Sequence, residues 1–534
     1  MKKFKKILCL LLTGAMLTTA LWGCGENTDP EKPSGKKISK ESQDGGTLII
    51  RAFGDPMSFN PDKLPDDNGY EAFQNMYSRL TKLDAAKKVV PDLAESWDIK
   101  DKGATITYHL RKNAKWHDGE AVTADDVKYT FDFIKEHDTY YLSSLLQQVK
   151  EIIVDDPHTV TFKLEKPNVA FVPHLSWYAC FVVPKHVYEK YDDWDDCPEI
   201  KTNPIGSGGF KFAEFVQGEK VVLERFDDYY EGKPHLDKLI FQMIPDDATA
   251  VNAFKNGEID VVENVPPANN EELLKDENIR MMLNEFPSPM RIVFNVNNKK
   301  VSDPAVRRAI AMCVDREEIV EKIYQGNRKP EYSMYPAIIE QYANTVDTAP
   351  KFDIKGARKV LEDAGYKPDK EGYYIKDLEI EVFEGGGAPD IAKLLQGHMK
   401  EAGMKMELNV SEFNAWAEKV DTRGKFCIEL QGGFMGPDVS ALYNRYGTGQ
   451  SSNFAGYSNK KFDELMNKGI QEVNEEKRAE IYKEAQKILA EDLPFFPIVG
   501  FSSYDANNVQ FKDLPIDGEG KWGWQEYSHT YLTK

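Results

Sequence analysis

Taken as a whole, this sequence lacks the surplus of positive charge that a nucleic-acid backbone demands. Its 68 Lys and Arg stand against 88 Asp and Glu for a formal charge of −20, which excludes a nucleic-acid partner. Cysteine is scarce too: six in 534 residues, none in a Cys-x-x-Cys pair, rule out a small disulfide-stapled scaffold. The nine histidines include no His-Glu-x-x-His and no close pair at zinc-ligand spacing. The acidic clusters Asp192-Asp193 and Asp195-Asp196 lack the alternating oxygen ligands and central glycine of a calcium loop. Neither a metal nor a cofactor is expected. No Gly-rich loop ends in Gly-Lys-Ser/Thr to cradle phosphates, and Ser207, flanked only by Gly206 and Gly208, misses the five-residue elbow of a hydrolase nucleophile. No catalytic residue is assigned, and a non-enzymatic role is expected. No repeat of 20 to 50 residues marks a solenoid.

What is present is apolar material for sizeable cores. Hydrophobic residues make up 41% of the chain and aromatics 11%, with 29% charged to cover the outside, and the length suits about three domains. The amino terminus places Lys2, Lys3, Lys5 and Lys6 ahead of an apolar run from Ile7 to Leu21, too short for a comfortable membrane span and arranged as a secretory signal. Leu21-Trp22-Gly23-Cys24 resembles the bacterial lipoprotein cleavage signal, although Trp22 departs from the small residue usual there. That resemblance implies removal of 1–23, lipidation of Cys24, and a polar tether over 24–45. Of the remaining cysteines, Cys180 and Cys197 are closest in sequence; they either form a disulfide, which export permits, or stay as separate buried thiols like Cys313 and Cys427.

Strands and helices alternate through the rest. Ile106, Tyr108 and Leu110 alternate with Thr105, Thr107 and His109, and Val160, Phe162 and Leu164 repeat the pattern. Thr123 can cap a helix whose stripe is Val127, Phe131 and Ile134, and Asp303-Pro304 opens another carrying Val306, Ala309, Ile310 and Cys313. From 376 to 431 the order is strand, helix, strand, helix, strand: LEIEVFE (378–384), MKMELNV (404–410) and KFCIELQ (425–431). Such spacing predicts parallel pairing with right-handed crossovers, and ligands collect beyond the carboxyl ends of such strands. Those ends are Gly385-Gly386-Gly387 and Gln431-Gly432-Gly433, where missing side chains either admit a ligand to the backbone or simply make tight turns. The fold class is mixed α/β (α+β).

Blocks along the chain resemble the extracellular solute-binding proteins of peptide/nickel-class ABC importers. They are PDLAESWD (91–98), TITYHLRKNAKWHDGEAVTADDVKYTF (105–131), NPIGSGGFKF (203–212), VVLERFDDYYEGKP (221–234), AFKNGEIDVV (253–262), FNVNNKKVSDPAVRRAIAMCVDREEIV (294–320), ARKVLEDAGY (357–366), GYSNKKFDELM (456–466) and DLPFFPI (492–498). The resemblance implies a two-lobed clamp: a discontinuous lobe I from 46–74, 203–292 and 500–534, an extra β-rich domain of that lobe over 75–202, and lobe II over 293–499. It implies capture of oligopeptides or dipeptides in the cleft and delivery to a membrane permease. The receptor would be a monomer held by lipid on the outer face of the cytoplasmic membrane, or in a periplasm where the host has an outer membrane. Modified peptides, oligosaccharides and metal complexes remain open as ligands, and a secreted hydrolase is the rival class.

Family receptors for oligopeptides carry a Trp and an Arg in a W-x6-R segment facing the cleft, matched here by Trp416 and Arg423. They also place an Asp after a Gly-Trp pair to hold the peptide amine. This sequence reads Gln431-Gly432-Gly433-Phe434-Met435-Gly436-Pro437-Asp438, so either Asp438 serves from farther along or no amine anchor exists. Arg445 is a second candidate cation, Gly432 and Gly433 offer bare backbone, and Tyr70, Phe53 and Phe501 are candidates on the opposite lobe.

Overall fold

The computed structural model describes residues 42–533 apart from 64–66, 85–87, 138–139, 141, 178–179, 345–349, 422–424, 451 and 516–525. Cys24, residues 24–41 of the expected tether and Arg423 therefore lie outside the described residues, while the last four tether residues are held by the fold: Ser42–Gln43 pairs as a strand and the Gly45 amide donates to the His235 carbonyl at 2.8 Å. Ten strands form a mixed sheet. In chain order they are β1 (Thr47–Ala52), β2 (Phe210–Val216), β3 (Lys220–Arg225), β4 (Lys238–Met243), β5 (Val261–Val265), β6 (Ile279–Phe294), β7 (Ile375–Phe383), β8 (Met404–Ser411), β9 (Ile428–Gln431) and β10 (Phe495–Asn508). Their spatial order is β8-β7-β9-β6-β10-β5-β1-β4-β3-β2.

The first three strands of this order run parallel, as their spacing in the sequence predicts. β7 pairs in parallel with β8 and with β9, the helix Ala388–Glu401 lies between β7 and β8 in sequence, and its Ile391, Leu395 and Met399 are buried. Leu394 packs partly buried against that core. Two long strands join the halves of the sheet. The Ile279–Phe286 part of β6 pairs with Phe501–Asn508 of β10, and its Met290–Val293 part pairs with Phe495–Val499. Register slips between Phe286 and Met290, where Pro287 and Pro289 have no amide to donate. β5 flanks the first stretch and β9 the second, so the boundaries expected at 292/293 and 499/500 fall inside strands.

Separate cores back the two half-sheets. One runs from Leu48 and Ile50 through Phe73, Trp116, Phe131 and Phe162 to Trp194 and Phe241; the other gathers Ile292, Phe294, Ile310, Ile380, Leu430 and Phe496. Residues 75–202 carry their own antiparallel sheet, in the order Ala94–Lys100, Thr105–Leu110, Thr159–Leu164, Val149–Asp156, yet share the first core. The expected alternation appears in Ile106, Tyr108 and Leu110, all buried. Thr123 starts the helix Ala124–Glu136 through a capping box with Asp126, and Asp303 caps Pro304–Ala311 by accepting from the Ala305 amide.

Two smaller features tie distant segments. Ser42–Gln43 pairs with Tyr531–Thr533, which also pairs with Phe511–Lys512. Near this seam the Lys82 ammonium meets Glu526 at 2.9 Å, Glu231 at 3.3 Å and Asp92 at 3.9 Å, and Arg111 reaches Glu231 at 3.3 Å. Cys180, Cys197, Cys313 and Cys427 are all free buried thiols, so the possible Cys180–Cys197 disulfide is not formed: Cys180 donates to the His174 carbonyl and Cys197 to Glu199. Gly206 and Gly208 are explained by close packing, since a Cβ at either would run into the Met76 or Asn75 carbonyl at 2.0 or 2.4 Å. Among the described residues no helix is long and apolar enough to cross a membrane.

Candidate functional site

The carboxyl ends of β7 and β9 open into two glycine turns. Gly385 and Gly433 have φ of 118° and 112°, both are exposed, and a Cβ at either position would meet nothing within 4 Å. Each turn leaves its Cα face open beyond a strand end, while its carbonyl is engaged within the chain, that of Gly385 by the Ala388 amide at 3.0 Å and that of Gly433 by Arg291. The two turns are neighbours: the Met290 methyl and the Phe383 ring each lie within 4.0 Å of where a Cβ would stand at both Gly386 and Gly432.

Arginines hold the second turn from beneath. Arg291 is fully buried, donating to the Gly433 carbonyl at 3.0 Å and the Pro289 carbonyl at 3.2 Å, and to the Gln431 side chain; burial draws its pKa down to about 10. Arg445, half-buried, donates to the Phe434 carbonyl at 2.6 Å. That contact shapes the loop and leaves the rest of its guanidinium fork unused by any described residue.

Other expected residues take different places. Trp416, on the helix Phe413–Asp421, is 5% exposed and sits edge-on to Phe383 at 5.3 Å, packed with Val420 and Phe426; it supports the first glycine turn from behind. Asp438 does not face a cleft. Buried to 3% exposure, it takes both forks of Arg478 at 2.7 and 2.8 Å and the Ser440 amide at 2.9 Å. Against the opposing effect of burial, Arg478 holds the carboxyl down at about 2. A carboxylate buried and paired bidentately in this way is committed to the framework and is not presented to a ligand amine.

Tyr70 is buried and accepts from Arg79 at 2.5 Å, with burial pushing its phenol well above the ordinary range. Phe53 lies under the Arg51 guanidinium at 4.0 Å, itself held by Ile244 and Pro245 carbonyls. Phe501, half-buried, meets Phe286 edge-on at 5.5 Å.

Sequence reasoning missed three side chains. Trp177 stacks on Phe434 with centroids 4.5 Å apart and planes at 9°, joining the first core's half of the molecule to the second glycine turn. His174 lies 3.5 Å from the Ser440 hydroxyl, and burial lowers its pKa; the Val169 amide donates to the Ile470 carbonyl at 2.9 Å in the same seam. Arg328 stands between Tyr324, at 4.0 Å, and Phe501, at 4.6 Å. Aromatic spacing carries no signal that segments 250 residues apart will stack. Among the described residues no group of three His, Cys, Asp or Glu is placed to hold a metal ion. The arrangement offers bare backbone, aromatic faces and guanidinium donors, which suits an extended polar ligand.

Residues 88–454 match the model of bacterial extracellular solute-binding proteins, family 5. The oligopeptide-binding protein AppA of Bacillus subtilis is 29% identical over 520 residues, covering 93% of each chain. The crystal structure of the ABC transporter substrate binding protein CtaP from Listeria monocytogenes superposes with a TM-score of 0.81 at 29% identity, over 92% of this chain and 100% of that one. The structure of AppA in complex with a nonapeptide gives 0.75 at 26% identity, over 92% and 100%.

Proposed function

The chain belongs to family 5 of the bacterial extracellular solute-binding proteins, and from that premise we propose that it captures peptides between its two halves and delivers them to the permease of an ABC importer. The observation that supports the peptide reading is the pair of open glycine faces at Gly385 and Gly433, set beside the turn on which Trp177 and Phe434 close. Strand-end amides and carbonyls bond any peptide's main chain regardless of sequence, while aromatic faces accept varied side chains. AppA, similar along its length, binds oligopeptides by name.

In this reading 46–74, 203–292 and 500–534 form lobe I with 75–202 as its extra domain, and 293–499 forms lobe II. The ligand favours the closed form, and Pro287 to Pro289 is where the joining strands flex. Gly432, Gly433, Arg445 and Phe501 line the site, Trp416 props it, and Asp438 belongs to the framework. The receptor works as a monomer without turnover, tethered outside the cytoplasmic membrane through acylated Cys24. Native mass spectrometry after incubation with a mixed peptide library tests this: peptides held stoichiometrically and released intact support it, and cleavage products overturn it in favour of a hydrolase.

A further inference from the structure

We propose that Arg328 is a specificity residue that takes a carboxylate of the bound peptide; this rests on the peptide reading above. Arg328 is a half-buried guanidinium whose only contacts among the described residues are aromatic: its central carbon stands 4.0 Å over Tyr324 and 4.6 Å over Phe501. Ring contacts of this kind engage the flat face of the group, whereas its five N–H donors lie in the plane and point outward from the edge. No described carboxylate or carbonyl takes them. Neighbouring acids are engaged elsewhere: Glu331 accepts from the Ser333 and Ala337 amides at 2.9 and 3.0 Å, Glu285 pairs with Lys329 at 2.9 Å and Asp390 with Lys393 at 3.2 Å.

A partly desolvated charge with idle donors is unfavourable unless something arrives to pair with it. A carboxylate matches the guanidinium fork in two parallel hydrogen bonds.

Placement and rigidity support recognition over a passing surface charge. Tyr324, the ring beneath Arg328, donates its hydroxyl to the Gly386 carbonyl at 2.6 Å, so Arg328 stands at the first glycine turn. Its loop is pinned on both sides: the Asn327 carbonyl accepts from Ser502 at 2.6 Å, the Asn327 side chain accepts from Asn270 at 3.0 Å, and the Gly500 amide donates to the Lys329 carbonyl at 2.9 Å. Asn270 belongs to the helix Pro267–Leu273, beyond β5 on the first half of the molecule. The cation is thus held where the halves adjoin, with little entropy left to lose on binding.

The test uses the full chain and two matched pools of random tri- to nonapeptides, one with free C-terminal carboxylates and one amidated, with retained peptide read by native mass spectrometry. Wild-type protein should retain the acid pool at least about tenfold better than the amide pool. Arg328→Gln, melting cooperatively near the wild-type temperature, should bring the two pools to parity. If Arg328→Gln fails to fold, Arg328→Met, which keeps an apolar stem between the rings, answers the same question. Equal retention of both pools by wild type overturns the proposal, as does a substituted protein that keeps the preference. Retention of neither pool by wild type overturns the peptide reading itself and this inference with it.

Discussion

Lys82 is ringed by carboxylates, whereas Arg328 meets none among the described residues. The first cation meets Glu526, Glu231 and Asp92 within 4.0 Å, and these partners come from segments more than 100 residues apart. Among the described residues the second is met by two aromatic rings and no acid. Both are shielded from bulk water, so solvent does not explain the contrast. Pairing does: around Lys82 each charge is answered inside the chain and the result is a joint between segments, while at the glycine turns a charge is held in place with its donors idle, which is what a ligand needs. Asp438 and Arg478 belong with the first kind, although they lie near the second in the fold.

The sharpest way to break this comparison is to remove Lys82. Lys82→Met leaves three clustered carboxylates with too little positive charge, and urea denaturation should show a loss of about 3 to 5 kcal/mol with the preference between acid and amide peptides unchanged. A change in that preference would show that the two regions are coupled.

Asp62 supplies the next test, as an acid that resembles Arg328 in lacking a full set of partners but is wholly sealed. It accepts from the Phe181 amide at 3.1 Å, its other oxygen has no partner among the described residues, and burial raises its pKa to about 8. Because the folded value exceeds the unfolded one, its contribution to stability is fully present below about pH 4 and is lost progressively as pH rises to about 8. Asp62→Asn should therefore stabilise at pH 7 by about 1 to 3 kcal/mol and change little at pH 4, as melting at the two pH values will report. Glu231 and Glu526 have the opposite sign. Lys82 is the leading influence lowering both against burial, so the stability they supply is present above about pH 4.5 and fades as acid protonates them. Lys82→Met should flatten that acid limb.

Trp177→Ala removes the stack on Phe434, worth about 0.5 to 1.5 kcal/mol. The expected outcome is a more open average shape by small-angle scattering and a fewfold weaker hold on peptides. Smallest of all is the effect of Arg328→Gln on stability, within about 1 kcal/mol, since only ring contacts are lost. A larger loss would move Arg328 into the same class as Lys82.

Much of the framework was legible because local periodicity reports it. Alternation located Thr105–Leu110, and the strand–helix spacing over 376–431 anticipated the parallel pairing of β7 with β8 and β9 and the bare glycines at their ends. What was not legible depends on partners remote in sequence. Asp438 reads as an anchoring acid until Arg478 arrives from the helix Glu475–Asp492, 40 residues on. Trp416 has the right spacing to face a ligand, yet which side of its helix meets the sheet is decided by packing against Phe383. Arg328 carries no motif at all; its meaning comes from Phe501, which reaches it only because β10 returns through the middle of the sheet.

One consequence follows from the pairing of Ser42–Gln43 with Tyr531–Thr533. Residues directly opposite in an antiparallel pair have Cα atoms about 5 Å apart, so the described chain is nearly a ring. A glycine linker of about three residues between Thr533 and Ser42 would close it, and new ends opened at exposed turns would yield permuted chains with the same sheet order. On the proposed clamp, reporter domains fused at such ends within 293–499 would ride on the half that closes, making the protein a scaffold for an optical sensor of its own ligand.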